Sequence, residues 1–169
     1  RTLCAWILFA CFASGLTPAA HVQAQERVTH QDRGISRGLE APIRLVLKKE
    51  SGGLTPEDFD RLRHLSYPPE SIADLSGIEQ ARELLSLRLQ RNDVVDIRPL
   101  AGLVLLLELN LQDNRVQVVD PLGQLHNLQR LNLARNEIGD LSPLSSLTAL
   151  RELRLGSNRI ADISPLAQM

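Results

Sequence analysis

The sequence predicts an α/β repeat solenoid: a horseshoe segment with a parallel β-sheet on its concave side, short 3-10 or irregular turns on its convex side, and an N-terminal helical cap. Three observations carry this. Asn92, Asn114, Asn136 and Asn158 stand 22 residues apart. Each closes one phrase of leucines, with Leu84, Leu106, Leu128 and Leu150 first, Leu87, Leu109, Leu131 and Leu153 fourth, and Leu89, Leu111, Leu133 and Leu155 sixth. The same period recurs downstream in Val94, Val116, Ile138 and Ile160, in Ile97, Val119, Leu141 and Ile163, and in Pro99, Pro121, Pro143 and Pro165, each proline followed by leucine.

That period lies within the leucine-rich-repeat range. Leu-x-Leu alternation makes a short strand with one buried face, and the Val/Ile and Pro-Leu positions turn the chain back along the convex side. The asparagine amide both donates and accepts, so Asn92, Asn114, Asn136 and Asn158 are read as a structural ladder pairing turn backbone. Proline suits the first residue of a short helical turn, where its missing N–H needs no partner. Asp120, Ser142 and Ser164 precede it as good caps, and Arg98 as a poor one. Asp96, Asp140 and Asp162 form a further column interrupted by Val118, which favours a turn role over a metal ladder.

From the N-terminus, the chain opens on Arg1 and runs through apolar Leu3 to Leu16 to the small-residue pattern Val22-Gln23-Ala24. Residues 1–24 read as a secretory signal peptide, too short in its apolar stretch to span a membrane. A lipobox-like Leu8-Phe9-Ala10-Cys11 offers lipoprotein anchoring at Cys11 as a weaker alternative, since Phe9 fits it poorly. Cleavage removes Cys4 and Cys11, leaves a mature chain without disulfides and shifts the formal charge from -1 to -2. Such a chain is held by its core alone. With 43% hydrophobic and 3% aromatic residues and near-zero charge, nothing marks a nucleic-acid binder.

Residues 25–38 read as a flexible lead-in. A helical cap follows over 39–66, where Leu39, Ile43, Leu45, Val46 and Leu47 supply an apolar helical stripe. Thr55-Pro56-Glu57-Asp58 starts a second helix with Thr55 as N-cap and acids at its positive end. Phe59, Leu62 and Leu65 are expected to face inward. Repeats occupy 67–169, one degenerate and four regular, the last incomplete. The degenerate one aligns Leu62, Leu65 and Tyr67 with the leucine columns, Glu70 with asparagine and Ile72 with valine.

The phrases Leu39-Glu40-Ala41-Pro42-Ile43-Arg44, Leu54-Thr55-Pro56-Glu57-Asp58-Phe59, Asn136-Glu137-Ile138-Gly139-Asp140-Leu141-Ser142-Pro143-Leu144 and Asn158-Arg159-Ile160-Ala161-Asp162-Ile163-Ser164-Pro165-Leu166 resemble the internalin-type bacterial leucine-rich-repeat family. The likeness covers roughly residues 39–169. It implies a secreted or cell-surface protein that binds another protein, and leaves the partner open.

The solvent-facing strand positions are the candidate partner-binding residues: Arg88, Gln90 and Arg91; Glu108, Asn110 and Asp113; Arg130, Asn132 and Arg135; Glu152 and Arg154. Its five arginines are the expected anchors, because no aromatic residue follows Tyr67. Charge reversal of Arg88, Arg130 and Arg154 is expected to weaken binding without changing the unfolding temperature. A face of four or five strands projects roughly 300–400 Å², below a standard interface. Weak binding or a longer natural array is therefore expected, and Met169, stopping inside the fourth repeat, points to a fragment.

The mature region has no cysteine, only His30, His64 and His126, and no nucleophile or phosphate motif, so no enzyme, metal or cofactor is expected. Two alternatives remain: a targeting module for an exported enzyme whose catalytic domain lies beyond Met169, and an intracellular regulatory subunit of a phosphatase, suggested by similar 22-residue repeats and opposed by the signal peptide.

Overall fold

The computed structural model describes residues 35–68 and 72–167. The expected signal peptide, Cys4, Cys11, His30, Glu70 and most of the lead-in lie outside the described residues.

Helix α1 spans Arg37–Leu47. Leu39 and Ile43, one turn apart, are fully buried, whereas Leu45 is 68% exposed and Val46 is 41% exposed. The expected apolar stripe therefore narrows, because successive helical residues rotate by about 100° and positions 45 and 46 leave the face that Leu39 and Ile43 share. The helix ends where Lys48 turns left-handed (φ 54), and the Lys48 and Lys49 N–H groups donate to the carbonyls of Leu45 and Arg44. At its start, the Ser36 N–H donates to Ser76 O at 2.8 Å, fastening the cap to the degenerate repeat.

Helix α2 is a single turn, Pro56–Asp60, that buries Phe59. The Asp58 carboxylate accepts from the Thr55 N–H at 2.8 Å and the Thr55 hydroxyl at 3.2 Å, and also pairs with the Lys49 ammonium. Its carboxyl is held below the ordinary range, first by Lys49 and then by the Thr55 backbone. Thr55, Pro56 and the acids thus start the helix as the sequence reading expects.

Five strands follow: β1 (His64–Ser66), β2 (Ser86–Arg88), β3 (Glu108–Asn110), β4 (Arg130–Asn132) and β5 (Glu152–Arg154). They form one parallel sheet in chain order. Register is set by the repeat length, so Leu65, Leu87, Leu109, Leu131 and Leu153 stand in one row. β1 belongs to the degenerate repeat and lies inside residues expected to be cap, since the Leu62 and Leu65 pattern already follows the repeat's spacing. The valine, isoleucine and leucine columns join the strand leucines in one core, with Val94, Val116, Ile138, Leu100, Leu122 and Leu144 at 0% exposure.

Each repeat returns through a 3-10 turn: Ile78–Gln80, Arg98–Leu100, Asp120–Gln124, Ser142–Ser146 and Ser164–Leu166. Ser142, Ser164 and Asp120 are the first residues of these turns, with proline second, and none acts as the side-chain cap. Asp140 and Asp162 do that work, accepting from the Ser142 and Ser164 N–H groups at 2.8 Å each, and Asp96 serves Arg98 in the same way at 2.9 Å. A carboxylate two residues upstream reaches this N–H in an Asx turn. The aspartate column is accordingly a turn device, and Arg98 is held by it, while Val118 at the interrupted position is exposed.

Candidate functional site

The sheet presents two solvent-facing rows. One runs His64, Ser86, Glu108, Arg130, Glu152 and the other Ser66, Arg88, Asn110, Asn132, Arg154. Seven of the expected partner-binding residues, Arg88, Glu108, Asn110, Arg130, Asn132, Glu152 and Arg154, thus share one surface. Gln90 and Gln112 follow the strands. Arg91, Asp113 and Arg135, also expected on this face, stand one step later, at a margin where the backbone turns left-handed (φ 59, 55 and 56). Their N–H groups still donate to the carbonyls of Gln112, Ala134 and Gly156 in the next repeat. The turn is needed to swing the following asparagine inward, and it holds non-glycine residues in a conformation costing roughly 1–2 kcal/mol each.

Those asparagines knit consecutive repeats. Asn114 Oδ1 accepts from the Val94 N–H at 3.0 Å, and its Nδ2 donates to Leu89 O at 2.9 Å and Leu111 O at 3.0 Å. Asn136 repeats the pattern with Val116, Leu111 and Leu133, and Asn158 with Ile138, Leu133 and Leu155. Asn92 accepts from Ile72 and donates to Leu89.

The arginines of the face are held by acids of the same face. Glu108 lies between Arg88 at 2.7 Å and Arg130 at 2.9 Å, Arg135 meets Asp113 at 3.3 Å and Arg154 meets Glu152 at 2.6 Å. The Glu108 side chain is 15% exposed, against 49% for Arg88 and 55% for Arg130, so the carboxylate sits beneath two guanidiniums. Burial pushes the Glu108 carboxyl up, but Arg130 and Arg88 outweigh it and hold the group below its ordinary value. Asn132 Nδ2 donates to Gln112 Oε1 at 3.1 Å, and Gln112 in turn to Asp113 at 2.8 Å, extending the polar network.

This arrangement leads to a different expectation from the sequence: reversing the arginines should also affect folding. Arg88→Glu/Arg130→Glu places three carboxylates where one was neutralised, so the variant should unfold at a clearly lower temperature at pH 7. Protonation relieves that repulsion, and the deficit should shrink as the pH falls through roughly 5 to 4. In the native chain the sign is opposite: a carboxyl held below its ordinary value stabilises fully above that value and loses its contribution as pH falls through the folded pKa. Thermal unfolding of both proteins between pH 7 and 4 checks this.

Sequence reasoning missed two features. Opposite charges recur one repeat apart, in Glu108 and Arg130, Asp113 and Arg135, Asp93 and Arg115, Glu137 and Arg159, a spacing that was open to inspection. Leu85 and Leu107 occupy a half-exposed column just before the strands, where the next repeats carry Gln129 and Arg151. Among the described residues, no group of three or more His, Cys, Asp and Glu is placed to hold a metal ion, and no helix is long and apolar enough to cross a membrane.

A family profile described as "Leucine Rich repeats (2 copies)" matches residues 104–146 and 126–168. Among solved structures the chain is similar to an internalin (inlF) from Listeria monocytogenes, at 34% identity and a TM-score of 0.78, over 84% of this chain and 42% of that one. It is also similar to internalin C2 from the same organism, at 27% identity and a TM-score of 0.61, over 83% and 72% of the two chains. A Leptospira interrogans leucine-rich-repeat protein matches at 28% identity and a TM-score of 0.50, over 54% and 25%. The chain thus spans about two fifths of the first of these proteins, 42% of its length. No curated protein sequence matches it significantly.

Proposed function

Because the chain is an internalin-type bacterial leucine-rich-repeat protein, we propose that it is a secreted or cell-surface protein-binding module that engages a protein partner on the solvent-facing side of its sheet. The observation that carries this is the row structure of that face: five parallel strands bury their leucines and leave a continuous, charged and polar surface, one row of which changes residue at every step from His64 to Glu152. Structural columns keep one residue type in successive repeats, whereas Ser86, Glu108, Arg130 and Glu152 change at each step, which is the pattern of a surface shaped for recognition. Export rests on the signal-peptide pattern of residues 1–24.

Neutralisation tests the face more cleanly than reversal. The full chain is panned against a displayed library of random 12-residue peptides, and binders are measured on the native chain and on Arg88→Gln/Arg130→Gln/Arg154→Gln. Loss of at least tenfold in affinity, about 1.4 kcal/mol, is expected, with the unfolding temperature lowered only slightly since exposed ion pairs contribute about 0–1 kcal/mol each. Binders that hold equally well to the variant would overturn the proposal.

A further inference from the structure

Beside the charged rows lies a second feature, a depression of about 380 Å³ at the start of the sheet with Leu65, Leu85 and Leu107 in its lining. Leu85 and Leu107 are neighbours across adjacent repeats, because Leu85 O accepts from the Leu107 and Glu108 N–H groups. Both are only partly covered, unlike the core leucines one column away. In the same column the preceding repeat carries Arg63 and the following two carry Gln129 and Arg151, so apolar character is confined to the repeats of β2 and β3.

The rim of the same depression is Arg88, Glu108 and Arg130. Since Glu108 lies beneath, the rim offers solvent two guanidiniums and a net positive charge. Arginine forks bind carboxylates in a paired, planar geometry. The volume is at the lower end for ligand sites, roughly 300–1,000 Å³, which suits a side chain or two of a peptide.

We infer that this depression receives a short acidic peptide segment of the partner, with an apolar side chain seated on Leu85 and Leu107 and the adjacent carboxylate paired to Arg88 and Arg130. The inference rests on the proposed function and specifies its partner's chemistry. Charge complementarity decides the occupant: the apolar floor gives nothing to a phosphate backbone, and the cationic rim disfavours a basic segment. Desolvation of the leucines supplies attraction, while the arginines select the neighbouring residue.

The test uses the isotope-labelled full chain and acetyl-Ser-Ala-Leu-Glu-Ala-Ser-amide, followed by amide NMR shifts. Saturable shifts centred on Leu85, Leu107, Arg88 and Arg130 are expected, weakening at least tenfold when the peptide's leucine becomes serine or its glutamate becomes glutamine. The Leu107→Gln chain, which borrows the next repeat's residue at a half-exposed position, should lose the peptide at least tenfold while unfolding within a few degrees of the native chain. Leu85→Gln repeats the test if Leu107→Gln unfolds early. The inference is overturned if the peptide gives no shifts, if the leucine-free peptide or orthophosphate binds as well, or if both glutamine variants bind unchanged. Panned binders that depend on the arginines yet ignore Leu85→Gln and Leu107→Gln would sink this inference and leave the proposed function standing; binders independent of the arginines would sink both.

Discussion

Asn114→Ala is expected to lower the unfolding free energy by about 1–3 kcal/mol, measured by denaturant unfolding. The substitution strands the Val94 N–H and takes one of two side-chain donors from each of the carbonyls of Leu89 and Leu111, which keep Asn92 and Asn136 respectively. A buried group left unpaired costs about 1–3 kcal/mol, and these belong to two consecutive repeats, so the loss loosens the stacking between them as well as one turn. Asn114→Asp is the sharper comparison. Its carboxylate still accepts from Val94 but confronts two carbonyl oxygens where the amide donated, so it should be at least as damaging at pH 7 and partly recover in acid. A change below about 0.5 kcal/mol in Asn114→Ala would mean that water or backbone shifts replace the ladder.

Leu109→Ala is expected to cost about 3–4 kcal/mol, within the range for a fully buried leucine. Leu109 is completely buried in β3, flanked in register by Leu87 and Leu131. The same change at Leu153, its counterpart in β5, removes a side chain that is only partly covered, and should cost less than half as much. Identical chemistry at identical repeat positions then separates the effect of stacking from that of the repeat's own sequence. Equal losses at the two sites would show that each repeat carries its stability alone, contrary to the nearest-neighbour behaviour of solenoids.

The fold was legible because repetition multiplies a weak signal. One Leu-x-x-Leu-x-Leu phrase suits many structures, but four at constant spacing admit only strands in register, and the observed row from Leu87 to Leu153 follows directly. The asparagine ladder was legible for a related reason: a polar residue kept at one place in a leucine phrase must satisfy backbone. The cap was harder, since Leu45 and Val46 satisfy an apolar count yet point to solvent. Periodicity over eleven residues leaves the buried face of a single helix loosely determined.

At the candidate site the sequence placed strand columns toward solvent but did not show how their charges pair. Counting five arginines against three acids suggested free cationic anchors. Four of the five are tied to acids: Arg154 pairs with Glu152 in its own strand, but the other three meet acids 20 or 22 positions distant, neighbours across stacked repeats that a linear count cannot weigh. The serines ahead of the prolines looked like caps on local grounds, whereas turn geometry gives that role to Asp140 and Asp162.

By itself, then, the sequence determined the repeat, its period, the parallel register and the identity of the core, since these follow from hydrophobic spacing and the hydrogen-bonding needs of each turn. Only the tertiary structure decided which charges neutralise each other, where Arg91, Asp113 and Arg135 turn left-handed, and that Leu85 and Leu107 meet beside Arg88 and Arg130. The physical reason is range. Spacing governs what is buried within each repeat, but the electrostatics and shape of a binding face arise between repeats, and exist only once the strands are stacked.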